Sequence, residues 1–193
     1  GYGVDEAIKK VPQKLKNDPG LIYERMRWRR KAKLPTAADF LYDPPDKIEN
    51  VRNWWINSRI VVRRLLNKNK FNQAYNILNN HKLPLSTDSG REAEWLAGWV
   101  AIHHLKKPTK SIEHFKKVYE NTPNESMKAK AAYWIYEANG MTNQKNEEII
   151  WLKIASKNKF SFYGQNASIK LGNFDFKKEK KVLLKPDNVD DLL

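Results

Sequence analysis

The chain has 193 residues, enough for one domain with a real core or for one repeat array. Its 40% hydrophobic content and seven Trp exclude a disordered chain, and the absence of Cys excludes disulfides, a thiolate zinc site and a Cys nucleophile. A net charge of +14 favours polyanionic partners: nucleic acid, anionic lipid or an anionic cell wall.

The pattern predicts helices throughout. Asp18-Pro19-Gly20 is a break with cap chemistry, followed by a helix from Leu21 to Arg30. Pro35 starts a short helix that runs through Tyr42 and is ended by Pro44-Pro45. A long helix from Ile48 to Asn67 follows, then a tight connection into Phe71 to Asn80. Asp88 or Ser89 caps a helix through Leu105, and Pro108 opens the next, to Asn121. Asn124 caps another, with Gly140 expected as its C′ stop. Asn143 or Asn146 begins the helix to Lys157, and the last runs from Ser161 to Leu171 before Gly172. No sustained alternation suggests a strand.

These segments share a register. Leu41, Leu78, Phe115 and Leu152 stand 37 residues apart, as do Ala37, Ala74, Ser111 and Glu148. A looser column holds Leu34, Phe71, Pro108 and Lys145. In the preceding helices the columns are Leu21, Ser58, Trp95, Ala132 and then Arg25, Val62, Trp99, Tyr136. A fixed period in the thirties signals helix pairs stacked into a solenoid, because no pair buries its apolar face alone. Leu41, Leu78, Trp95, Trp99, Phe115 and Leu152 are the expected repeat core, whereas Arg25 and Glu148 are misfits that suggest degenerate or wet ends. The expected fold is all-α: a right-handed α-superhelix of antiparallel helix pairs, TPR-like, over residues 1–172, with a charged linker at 173–193.

Chemistry is sparse. Glu24, Glu92, Glu94, Glu137, Glu147 and Glu148 are spaced like surface ion-pair partners, and nothing predicts the apolar pocket that a catalytic acid needs. His81, His103, His104 and His114 lack the i, i+4 spacing of a zinc helix. Nucleophile signatures and phosphate-cradling Gly loops are missing, so no catalytic residue, metal or cofactor is expected. No apolar run reaches the ~20 residues of a membrane span. Trp54-Trp55, Trp95, Trp99, Trp134 and Trp151 read first as core, although one of the adjacent pair Trp54-Trp55 is expected at a pair boundary or groove wall. Arg25 with Arg29, and Arg59 with Arg63, are i, i+4 pairs. Arg25, Arg29, Arg63 and Arg64 are therefore the candidate ligand-binding face, against the plainer reading of a solvated helix surface.

Several motifs occur in order. Asp18-Pro19-Gly20-Leu21 precedes Tyr23-Glu24-Arg25 and Trp28; Trp54-Trp55 precedes Arg63-Arg64-Leu65-Leu66 and Ala74-Tyr75. Ala93-Glu94-Trp95-Leu96-Ala97-Gly98-Trp99 leads to His114-Phe115 and Tyr119, then Ala131-Ala132-Tyr133-Trp134. Phe162-Tyr163-Gly164-Gln165, Ala167 and Leu171-Gly172 close the series. Over residues 17–172 this resembles the helical superhelix of soluble lytic murein transglycosylases. The resemblance implies a periplasmic protein and a separate lysozyme-like catalytic domain that cleaves peptidoglycan between N-acetylmuramic acid and N-acetylglucosamine. That domain carries a Glu-Ser motif and a Gly-Leu-Met-Gln motif. The sole Glu-Ser here, Glu125-Ser126, begins a repeat helix, and Gly-Leu-Met-Gln does not occur.

The chain opens Gly1-Tyr2-Gly3 without Met, which reads as a piece of something longer. The expected role is that of a non-catalytic scaffold that holds peptidoglycan glycan strands and docks the catalytic domain, with Phe162, Tyr163 and Gln165 as docking residues. The rival reading is a free-standing helical-repeat adaptor for a protein or peptide. RNA is a third, weakened because no base-reading pair recurs in the repeats.

Overall fold

The computed structural model describes residues 3–142 and 144–173. The expected linker lies outside them, apart from Asn173. The described residues form ten α-helices and no strand. They are α1 (Val4–Lys9), α2 (Pro19–Lys31), α3 (Asp39–Tyr42), α4 (Val51–Asn67), α5 (Phe71–Asn79), α6 (Asp88–His103), α7 (Pro108–Asn121), α8 (Glu125–Gly140), α9 (Lys145–Ser156) and α10 (Phe162–Lys170). Short 3₁₀ turns occupy Gln13–Leu15 and Pro35–Ala37. Each helix from α4 to α10 packs on the next, giving the pairs α4/α5, α6/α7 and α8/α9. First helices also stack across pairs: α4 on α2 and α6, and α10 on α8. The fold is therefore an all-α helical-repeat array.

The two helices of a pair begin differently. First helices have a side-chain cap. Asp18 accepts from the Leu21 N–H at 2.9 Å, Asn50 from Asn53 at 3.0 Å, Thr87 from Gly90 at 3.1 Å, Asn124 from Met127 at 3.0 Å, and Ser161 from Gly164 at 3.0 Å. Second helices α5, α7 and α9 have none. The turn into a second helix is made instead by a left-handed residue at the end of the first: Lys33 after α2, Asn69 after α4 and Lys106 after α6. The next N–H then returns to the helix, as Lys70 does to the Leu65 carbonyl at 2.9 Å. One tight turn thus closes one helix and starts its partner.

Several predicted boundaries move. Helix α4 begins at Val51 rather than Ile48, because Asn50 supplies its cap. Helix α9 begins at Lys145, with Gln144 at the N-cap; Asn143 lies outside the described residues. Gly140 is the last residue of α8, not a left-handed stop beyond it. It lies beside the Glu148 carboxylate of α9, which a Cβ at this position would meet in ordinary van der Waals contact at 3.4 Å. The six-residue α1 had no sequence counterpart.

The 37-residue columns are packing columns. Leu41, Leu78, Phe115 and Leu152 are buried in α3, α5, α7 and α9, and Ala37, Ala74 and Ser111 are buried beside them. Of the expected core tryptophans, Trp99 is partly buried and packs against the core, and Trp95 is only partly buried. Small buried residues, Ala93, Ala97, Gly98 and Ala101, occupy the α6 seam and leave no gap between helices for an indole. At Gly98 the approach is close enough that an added Cβ would lie 2.7 Å from the Phe115 ring. Trp95 therefore rides the edge of the seam, its ring 4.8 Å from Phe115 and 6.5 Å from Trp134.

Candidate functional site

A groove of about 900 Å³ runs across the first helices α4, α6 and α8 to the start of α10. Its lining combines charges, aromatics and helix N-termini. Trp55 lies at its base, only 3% exposed, and donates its indole N–H to Glu92 Oε2 at 2.6 Å. Trp54, equally buried, turns to Tyr23 at 6.1 Å. Adjacent residues point about 100° apart on a helix, so the pair divides between the α2–α4 contact and the groove.

Two of the groove's cations already have anions. Arg59 lies 3.1 Å from Glu92, and Arg91 pairs with Asp88 and donates to the Leu85 carbonyl at 3.0 Å. The other two, Arg63 and Lys130, line the same groove without an anionic partner among the described residues. The Lys130 ammonium sits 3.8 Å from the centre of the Trp95 ring, within cation–π range. Burial without a carboxylate lowers its pKa from the ordinary lysine value. The start of α6 at Asp88, of α8 at Asn124 and Met127, and of α10 at Ser161 and Phe162 also line this space. Helix N-termini carry positive dipole ends, so these elements reinforce the cations.

The α10 end of the groove is apolar and open. Phe160 is 96% exposed and Phe162 69%. Tyr163 packs at 5.4 Å from Tyr133. Gln165 donates to the Lys159 carbonyl at 3.1 Å, tying α10 to the loop that presents Phe160. Gly164 makes this turn possible, since a Cβ there would fall 1.8 Å from the Asn158 carbonyl oxygen.

The four arginines expected on one face separate. Only Arg63 reaches the groove. Arg25 lies over the Phe40 ring at 5.0 Å, and Arg29 lies over the same ring at 5.7 Å while donating to Thr36 Oγ1 at 2.8 Å. Arg64 donates to the Arg30 carbonyl at 2.8 Å, joining α4 to the last turn of α2. Three of the four thus fasten the first repeats together. Sequence reasoning singled out neither Lys130 nor Phe160. The phasing of Lys130 held a signal, because it stands one position before the buried Ala131 and one turn before Trp134.

A second polar cluster lies inside the array. Glu94 of α6 is 4% exposed and accepts from His114 Nδ1 at 2.5 Å, Lys117 Nζ at 2.9 Å and His81 Nε2 at 3.3 Å. His81 Nδ1 accepts the Leu83 N–H at 2.8 Å, which leaves its Nε2 to donate to Glu94. Tyr75 Oη meets His114 Nε2 at 3.0 Å. Burial opposes ionisation of Glu94, but the bonds from His114, His81 and Lys117 outweigh it and hold the carboxyl far below its ordinary range. A general acid needs the opposite shift. Glu94 is built to stay ionised and to join α6, α7 and the loop after α5. Among the described residues no cluster of His or carboxylate groups could hold a metal, and here the Lys117 ammonium already supplies the cation.

No helix among the described residues is long and apolar enough to cross a membrane. Comparison with family models, curated proteins and solved structures gave no significant match.

Proposed function

We propose that this chain is the glycan-holding scaffold of a lytic-transglycosylase-like protein that acts on peptidoglycan in the periplasm. The observation that carries the reading is the groove, where Arg63 and Lys130, without an anionic partner among the described residues, lie among Trp95, Phe162 and Tyr163. Flat aromatic faces suit saccharide rings, and uncompensated cations suit an anionic wall polymer. A groove open along its length admits a chain rather than enclosing a small molecule. The described residues offer no acid poised for proton donation, so bond cleavage is assigned to a separate lysozyme-like domain. Exposed Phe160 and Phe162, braced by Tyr163 and Gln165, form the apolar surface proposed to dock it.

Retention on purified sacculi in the presence of excess RNA tests the glycan reading. Phe162→Ala, a change at an exposed position, should weaken retention about fivefold, the equivalent of roughly 1 kcal/mol. Complete loss of the chain to RNA would leave only nonspecific polyanion binding. Retention that ignores every groove substitution would place the ligand elsewhere.

A further inference from the structure

We infer that the groove selects a carboxylate-bearing saccharide over its neutral counterpart, with Lys130 as the anchor of the carboxylate and Arg63 as a second cation. This inference rests on the glycan reading and names the chemical class of strand that the groove takes. Charge pairing within the groove gives the reason. Glu92 is held by Arg59 and by the Trp55 indole, and Asp88 by Arg91. No anion remains for Lys130 or Arg63 among the described residues lining the groove.

Lys130 differs from an ordinary surface lysine. It is half-buried, its ammonium rests on the Trp95 face at 3.8 Å, and the lining beside it includes the start of α8. The first N–H groups of a helix have no intrahelical acceptor; in α8 the Asn124 cap takes that of Met127. An anion arriving at Lys130 therefore gains a charge-assisted bond and a positive helix end together. A neutral ring covering the same place would strip water from an ammonium and offer only hydroxyl or carbonyl acceptors in return, a weaker exchange than a carboxylate gives. Discrimination comes from that penalty as much as from the new contact. The indole that holds the lysine also offers a flat surface beside it, so the site reads a carboxylate carried on a ring. A surface lysine such as Lys110 is instead already paired with a carboxylate, that of Glu113 at 2.9 Å.

The test compares two probes identical except for charge. One is the alternating N-acetylglucosamine–N-acetylmuramic acid tetrasaccharide, free of peptide, with its lactyl carboxylates. The other is its methyl ester. Titrated against the full 193-residue chain at physiological salt, the acid should bind about tenfold more tightly than the ester, the scale of one charge-assisted hydrogen bond. Lys130→Gln keeps the stem over Trp95, and should abolish most of that preference while leaving ester affinity within about twofold. Arg63→Gln, at an exposed position, should reduce it further and serves as the probe if the first variant fails to fold. Equal affinity for acid and ester would overturn the inference and leave the glycan reading standing. No binding of either probe would overturn both. A preference that persists in both variants would overturn the assignment to these residues. Polyglutamate binding as tightly as the strand would also overturn it, and would indicate an acidic protein partner instead.

Discussion

Replacing Glu94 by Gln tests whether the buried cluster holds the middle of the array together. The carboxylate accepts three side-chain donors from outside α6, at 2.5, 2.9 and 3.3 Å. An amide presents one acceptor and turns an NH₂ group towards donors. The bonds to buried His114 and His81 are of the charged kind, about 1.5–3 kcal/mol each. The Lys117 head is 45% exposed, so its pair counts for less than about 1 kcal/mol. Against these stands the cost of burying the charge, several kcal/mol, which the variant escapes. The expected net loss is about 2–4 kcal/mol at pH 7. Its pH dependence has a definite sign. Glu94 has its folded-state pKa depressed below the ordinary 4.5, so its contribution is present above that value and is lost as pH falls below it. The gap between wild type and Glu94→Gln should therefore narrow from pH 7 towards pH 3. Urea denaturation followed by far-ultraviolet circular dichroism at both pH values measures it. A gap below about 1 kcal/mol at pH 7, or one unchanged at pH 3, would refute the reasoning.

Three further outcomes are expected from the same assay at neutral pH. Phe115→Ala should cost about 3–5 kcal/mol, because the ring is fully buried between Gly98 and Trp95; a loss below about 1 kcal/mol would show the register to be wrong. Ser111→Ala should stabilise by roughly 1 kcal/mol, since its buried hydroxyl has no partner among the described residues and the equivalent positions already carry Ala37 and Ala74. A destabilised variant would mean that the hydroxyl is satisfied. Lys106→Gly should stabilise by roughly 0.5–1 kcal/mol by relieving a left-handed lysine at φ 55°, and no gain would indicate that its side chain offsets the backbone cost.

The repeat could be read from the chain because core packing in stacked pairs is periodic. Leu41, Leu78, Phe115 and Leu152 must fill the same space in successive pairs, so the spacing of the sequence and of the structure agree. The same register carried a sign of the Glu94 cluster. Glu94 falls in the column Asn57, Ala131 and Ser168, whose members are buried, and a carboxylate there demands partners. Those partners lie on α7 and beyond α5, and come together only when the pairs stack.

The sequence by itself determined the helices, the period and the cationic excess, because these rest on local backbone chemistry and composition; the cap of α6 is Thr87 rather than the expected Asp88 or Ser89. Tertiary structure decided which charges remain available. Arg59 and Arg63 are one helical turn apart on α4, yet one meets Glu92 across the α4–α6 contact and the other meets no anion among the described residues. Arg25, Arg29 and Arg64 look like the same basic stripe, but are taken up by Phe40, Thr36 and the Arg30 carbonyl. Likewise, the small-residue seam of α6 moved Trp95 out of the core to the groove beneath Lys130. Whether a cation holds the fold or awaits a ligand depends on what the neighbouring helix places within a few ångströms, and that distance belongs to the packing of helices rather than to the order of residues along them.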